Sequence, residues 1–151
     1  MKKINYIKGD ATKPIGNGNK IIAHCCNDLG GWGLGFVIAL SRRWDAPEKA
    51  YRAMSKDDMV LGNVQFVDVE DDIVVANMIG QHQTWYENGI PPIRYDAVRE
   101  CLMKVNEHAV ANNATIHCPR FGAGLAGGDW DTIEKIIDET ITVDVTVYDF
   151  N

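Results

Sequence analysis

The chain has 151 residues, of which 46% are hydrophobic and 24% charged. That balance and length suit one globular domain, spanning residues 1–151, whose core needs no covalent staples. The net charge of -6 argues against a basic face for duplex nucleic acid, although backbone amides bind anions without Lys or Arg.

Met1-Lys2-Lys3 leads directly into a strand-like run, not a signal sequence, and no apolar run approaches membrane-spanning length. The four cysteines therefore read as reduced thiols, and a cytoplasmic protein is expected.

In chain order, Ile4 to Ile7 predicts the first strand, with Gly9-Asp10-Ala11 after it. Ile21 to Cys26 predicts a central strand. It runs into a glycine-rich turn, His24-Cys25-Cys26-Asn27-Asp28-Leu29-Gly30-Gly31-Trp32-Gly33-Leu34-Gly35. Phe36, Val37, Leu40 and Trp44 then follow helical spacing, and Pro47 suits an early position of a second helix through Ala50 and Met54. Val64 to Val69 and Ile73 to Ile79 are strand-like, with Glu70-Asp71-Asp72 as a hairpin tip. Gly80-Gln81-His82 is expected as a loop, and Trp85-Tyr86-Glu87-Asn88-Gly89 as a lid or surface turn. Ala97, Val98, Cys101, Leu102, Val105 and Ala109 make one stripe of a longer helix. Thr115 to Cys118 is the fifth strand. It enters a second glycine-rich turn, Pro119-Arg120-Phe121-Gly122-Ala123-Gly124-Leu125-Ala126-Gly127-Gly128-Asp129-Trp130. Ile133, Ile136 and Ile137 mark the last helix, and Val143 to Tyr148 the last strand. Strands alternating with helices predict a three-layer α/β domain, and the hairpin makes its sheet mixed.

A glycine loop that opens a helix is a ready anion site, because its N–H groups approach oxyanions closely and the helix N-terminus is partially positive. Two such loops suggest a diphosphate held from both sides, outside the carboxyl ends of the strands. The glycines at 30, 31, 33 and 35 do not give the dinucleotide-binding spacing. A thiol phosphatase needs an Arg closing the loop after its cysteine, and Gly31 and Gly124 stand there instead. His24, Cys25, His117 and Cys118 make a poor metal set, since neighbours on a strand face opposite ways; neither metal nor cofactor is expected. His24 is a candidate at the mouth of the site or a core histidine. Asp129 is a candidate for catalysis or the N-cap of the last helix. Asn27 and Asp28 are candidates to hold their turn through side-chain bonds. Trp32 is a candidate to stack on a base or sugar.

Gly9-Asp10, the loop from Asn27 to Gly35, the run from Pro119 to Trp130 and the closing Val145-Thr146-Val147-Tyr148 resemble the macrodomain family over essentially the whole chain. The resemblance implies an α/β/α fold on a mixed six-stranded sheet that binds ADP-ribose or its derivatives. It implies that Asp10 accepts from the adenine amino group and the Ala11 backbone serves the ring. Gly31, Trp32, Gly33, Leu34, Gly35 and Phe36 would hold the distal ribose and diphosphate, with Asn27 and Gln81 beside them. Phe121, Gly122, Ala123, Gly124, Leu125 and Ala126 would wrap the diphosphate, and Tyr148 or Phe150 would pack near adenine.

His24-Cys25-Cys26-Asn27 with Trp32-Gly33 is similar to ADP-ribose-1″-phosphate phosphatases. The second loop also resembles a branch containing terminal ADP-ribose glycohydrolases and an antitoxin that removes ADP-ribose from DNA. That branch uses a Lys where Gln81 stands, and its human-type enzymes place an Asp where Ala126 stands. The expectation is a metal-independent hydrolase removing the 1″-phosphate of ADP-ribose-1″-phosphate, with His24 positioning or protonating the leaving oxygen and Asp129 orienting water. Its alternatives are hydrolysis of ADP-ribosylated protein or nucleic acid and non-catalytic ADP-ribose reading.

Overall fold

The chain alternates strands and helices so that every helix has a sheet face to cover. In a computed structural model that describes residues 4–150, the order is β1 (Ile4–Lys8), β2 (Asn19–Asn27), α1 (Phe36–Arg43), α2 (Ala46–Arg52), β3 (Val64–Glu70), β4 (Ile73–Gln81), α3 (Tyr95–Ala111), β5 (Ala114–Cys118), α4 (Trp130–Thr140) and β6 (Val145–Asp149). The sheet order is β1-β6-β5-β2-β4-β3. All neighbours are parallel except β3, which returns antiparallel on β4. Asp71-Asp72 forms the tip of that hairpin, so the mixed sheet is as expected.

The side-chain period of two sorts the central strand between two cores. Ile21 and Ala23 of β2 face a cluster with Val98, Leu102 and Val105 of α3 and Ile133, Ile136 and Ile137 of α4. Ile22 and Cys26 face the opposite cluster, with Leu40 of α1 and Tyr51 of α2. Such a strand, buried on both faces, reads as a continuous apolar run.

Several boundaries differ from the expectation. Trp44 and Met54 lie just beyond α1 and α2, and Val143 precedes β6. Gly80 and Gln81 are the last residues of β4 and not a loop, because pairing with β2 continues through Gln81, opposite Asn27. A Cβ on Gly80 would lie 2.8 Å from Cys25 Sγ, so the glycine lets the neighbouring strand's thiol pack.

The chain leaves β2 toward the α1/α2 layer and leaves β5 toward α4. β2 and β5 are neighbours, so a crevice opens between their carboxyl ends, where open α/β sheets take ligands.

Candidate functional site

Two cavities lie along this crevice. A proximal cavity of about 390 Å³ is lined by Asp10, Ala11, Arg42, Tyr148 and Phe150, among others. A distal cavity of about 340 Å³ is lined by His24, Cys25, Gln81, Phe121, Gly122, Gly124, Leu125 and Ala126, among others. Gly35, Phe36 and Pro119 belong to both walls. The two cavities are therefore one cleft, pinched where the glycine loops face each other.

At the proximal end, Asp10 Oδ1 accepts from the backbone N of Thr12 (2.9 Å) and from its hydroxyl (2.7 Å). The turn thereby fixes the carboxylate and leaves Oδ2 to take a donor from a ligand. The ring of Tyr148 is held from behind. Its hydroxyl accepts from Ile15 N (3.0 Å) and is bonded to His117 Nδ1 (2.7 Å). Burial lowers the His117 pKa to about 4, with Lys20 adding to the shift, so the ring is neutral at pH 7.

The first loop is a built structure. Asn27 Oδ1 accepts from Leu29 N (3.0 Å), Gly31 N (3.0 Å) and the Tyr51 hydroxyl (3.0 Å), and its Nδ2 donates to Gly31 O (2.9 Å). With its oxygen saturated and no share in either cavity wall, Asn27 braces the turn instead of meeting a ligand, as its side-chain-to-backbone reading anticipates. Trp32 is not a stacking platform. It is 7% exposed, lies edge-on to His24 with ring centroids 5.4 Å apart, and donates to Ser41 Oγ (2.8 Å). A large ring gains more from the core than from solvent once its N–H finds a partner. Gly31, Gly33 and Leu34 line neither cavity, and Leu34 points outward, 75% exposed. The loop closes on Gly35, whose φ of 81° is cheap only for glycine and turns the chain into α1. Because no side chain caps α1, its first N–H groups remain open at the pinch.

His24 lies beneath this loop, 2% exposed. Asn77 Nδ2 donates to Pro47 O (3.2 Å) and Gln65 Oε1 (3.1 Å), which turns its Oδ1 toward His24 at 2.5 Å. His24 therefore carries its proton on Nε2. Burial lowers its pKa to about 4, against the opposing effect of the Asn77 hydrogen bond. The expected proton donor is thus a neutral ring whose single N–H is already committed.

The second loop is pinned by backbone. Gly128 N donates to Gly122 O (2.7 Å), Gly127 N to Gly124 O (3.0 Å) and Ile93 N to Ala126 O (3.1 Å). A Cβ on Gly128 would lie 2.4 Å from Gly122 O, so the turn closes only because glycine is there. Ala123 lines neither cavity. Asp129 caps α4, accepting from Thr132 N (3.3 Å) and its hydroxyl (2.7 Å), and also lies outside both walls. The helix terminus after the second loop is thus closed by its own carboxylate. Of the two helices that follow the glycine loops, α1 is the one without a side-chain cap.

Burial pushes the Cys25 and Cys118 thiols up to about 12, so neither is a nucleophile at neutral pH. Among the described residues no three His, Cys, Asp or Glu side chains are grouped to hold a metal ion, and no helix is long and apolar enough to cross a membrane. Sequence reasoning underused Asp28. It holds His82 Nδ1 (2.7 Å) and Gln83 N (2.8 Å) across more than fifty residues, a pairing that no local pattern signals.

A six-stranded mixed sheet with glycine loops at the carboxyl ends of two neighbouring strands defines an α/β protein with a cleft along that edge of the sheet. A solved macrodomain protein from Streptomyces coelicolor is 50% identical, with 97% of this chain and 99% of that one covered at a TM-score of 0.86. The chain belongs to the macrodomain family. A Bacteroides thetaiotaomicron protein of unknown function is 55% identical, with 98% of both chains covered and a TM-score of 0.96. Mouse chromodomain-helicase-DNA-binding protein 1-like is 33% identical over 89% of this chain, which spans 16% of that protein's length. An ADP-ribose 1″-phosphate phosphatase of Candida albicans is 25% identical, over 96% of this chain and 98% of that one. Thermosipho africanus DarTG, solved in complex with ADP-ribose, shares the fold at a TM-score of 0.75 and 13% identity. No family profile matches the chain.

Proposed function

We propose that this macrodomain binds ADP-ribose derivatives along the joined cavities and removes the 1″-phosphate from ADP-ribose-1″-phosphate. One observation carries the binding: a single cleft has a carboxylate and two aromatic rings at one end and a glycine-loop chamber at the other. Adenine fits the Asp10, Ala11, Tyr148 and Phe150 end. The diphosphate fits the pinch, where the open N-terminus of α1 and the amides of the second loop converge. The terminal ribose then enters the distal cavity beside Gln81. The Candida albicans relative supports the phosphatase reading, and the protonated thiols leave no cysteine nucleophile for it. In this reading water attacks the terminal phosphorus as the bond to the 1″ oxygen breaks, its protons passing to the released ADP-ribose hydroxyl and phosphate, and loop amides meet the charge on the phosphoryl and leaving oxygens. His24 contributes by holding its wall and not by giving up a proton.

Gly124→Glu tests the binding. Nothing lies within 4 Å of a Cβ there, so the variant folds, while its carboxylate occupies the phosphate position. Calorimetry is expected to show ADP-ribose binding in the parent and none in the variant; equal affinities would dismiss the cleft assignment. Asp10→Ala is expected to weaken ADP-ribose by about 1–3 kcal/mol. Phosphate release from ADP-ribose-1″-phosphate, assayed with and without chelator beside ADP-ribosylated protein and DNA, decides the reaction. Release that survives EDTA is expected. No phosphate from the first substrate but ADP-ribose from the others would replace phosphatase with de-ADP-ribosylation. No product from any of them would leave a reader.

A further inference from the structure

Beside the distal cavity, three residues hold an arrangement that the fold does not require. Gln81, in the cavity wall, donates from Nε2 to the carbonyl of Gln83 (3.1 Å), which leaves Oε1 as the atom able to accept from a ligand. Gln83 is 7% exposed, holds a φ of 50°, and buries an Nε2 that is without a hydrogen-bond partner among the described residues. Left-handed backbone at a non-glycine residue and an orphaned buried donor both cost stability. They persist where the surroundings impose them, and they concentrate at functional sites. The imposing group here is Asp28. Its Oδ1 takes Gln83 N (2.8 Å), its Oδ2 is bonded to His82 Nδ1 (2.7 Å), and its own N–H donates to Gln81 O (3.1 Å). The carboxylate is thus tied to the two residues that follow Gln81.

We infer that Asp28 is a positioning residue that acts through the main chain of Gln83 to aim Gln81 at the terminal sugar, making the cleft prefer a nucleoside diphosphate that carries a sugar over one that stops at its diphosphate. The inference rests on the proposed placement of the terminal ribose beside Gln81. With one Nε2 hydrogen anchored on Gln83 O, Oε1 is held where a sugar hydroxyl can donate to it, and a nucleotide that stops at its diphosphate brings no such hydroxyl there.

The experiment compares ADP-ribose with ADP by calorimetry on the parent and five variants. Asp28→Ala is expected to lower ADP-ribose affinity about tenfold, the equivalent of one hydrogen bond, with ADP affinity within about twofold of the parent. Asp28→Asn keeps an acceptor for Gln83 N and is expected to restore the preference. So is Gln83→Gly, which relaxes the backbone while retaining both main-chain bonds. The double variant Asp28→Ala/Gln81→Ala is expected to bind ADP-ribose no more weakly than Gln81→Ala, because one residue works through the other. Equal loss for both nucleotides in Asp28→Ala means a loop scaffold and overturns the inference, as do losses that multiply in the double variant. A parent that binds neither nucleotide sinks the proposed function instead. The Gln81 side-chain amide signals of the free protein then decide the positioning: unchanged signals in Asp28→Ala refute it, and signals averaged toward those of a free glutamine support it.

Discussion

The two glycine loops look alike in composition and are held by opposite means. The first is braced by buried side chains: Asn27 under the turn, Tyr51 behind it, Trp32 folded into the core, and His24 beneath Trp32. The second is braced by main-chain bonds across its base and by glycines too close to neighbours for a Cβ. The first loop's amides are thus partly spent on Asn27, and what it leaves free is the uncapped start of α1. The second keeps Gly124 open to the cleft but loses its helix terminus to Asp129. A pair of similar motifs therefore divides the work: one loop supplies a helix N-terminus, the other a backbone cradle.

Acid breaks this comparison hardest. His24 stiffens the first loop and His117 the Tyr148 wall, and both rings have pKa values lowered from 6.5 to about 4. An unfolded histidine binds a proton that the folded ring refuses, so their stabilising effect is complete above pH 6.5 and is lost as the pH falls toward 4. Each ring is worth about 3 kcal/mol over that window. Urea midpoints at pH 7.5 and 4.5 are expected to differ accordingly; a flat profile would mean that these rings are charged or exposed.

Next in size is Gly128→Ala, where a methyl meets Gly122 O and Ile93 Cδ1. Overpacking against backbone is expected to cost about 3 kcal/mol, read from thermal or urea unfolding. An unperturbed melt would show that the second loop can open at its base.

Asn27→Ala attacks the other kind of brace. It strips partners from Leu29 N and Gly31 N, while Tyr51 keeps its bond to the Asn27 main-chain oxygen, at a cost of about 2 kcal/mol. The protein is expected to remain folded, with faster hydrogen exchange confined to residues 28–35. Exchange that speeds up equally in residues 121–128 would argue that the loops are one unit.

The smallest effect belongs to Gly124→Ala, which adds a methyl to open space. Its stability is expected within about 0.5 kcal/mol of the parent, in contrast to Gly128→Ala four residues away. A large loss there would dissolve the distinction between cradle and hinge in the second loop.

Local patterns in the sequence determined the six strands, the β3–β4 hairpin, the four helical stripes and the two loops at strand ends, because period-two and helical spacing, with glycine and proline as punctuation, are short-range properties. They also put Gly9-Asp10 after β1 and a glycine loop after each of β2 and β5, whereas Tyr148, inside β6, came only from the family resemblance. Only the tertiary structure decided that Trp32 turns inward, that His24 is neutral with its N–H on Asn77, and that β4 continues far enough to carry Gln81 into the cavity wall. Each of those outcomes depends on a partner distant along the chain: Ser41 for the indole, Asn77 for the imidazole, Asn27 for the strand end and Asp28 for the turn after it. A side chain's protonation and direction follow from the desolvation and hydrogen bonds it finds on folding, and those are set by packing between elements, which local spacing does not encode.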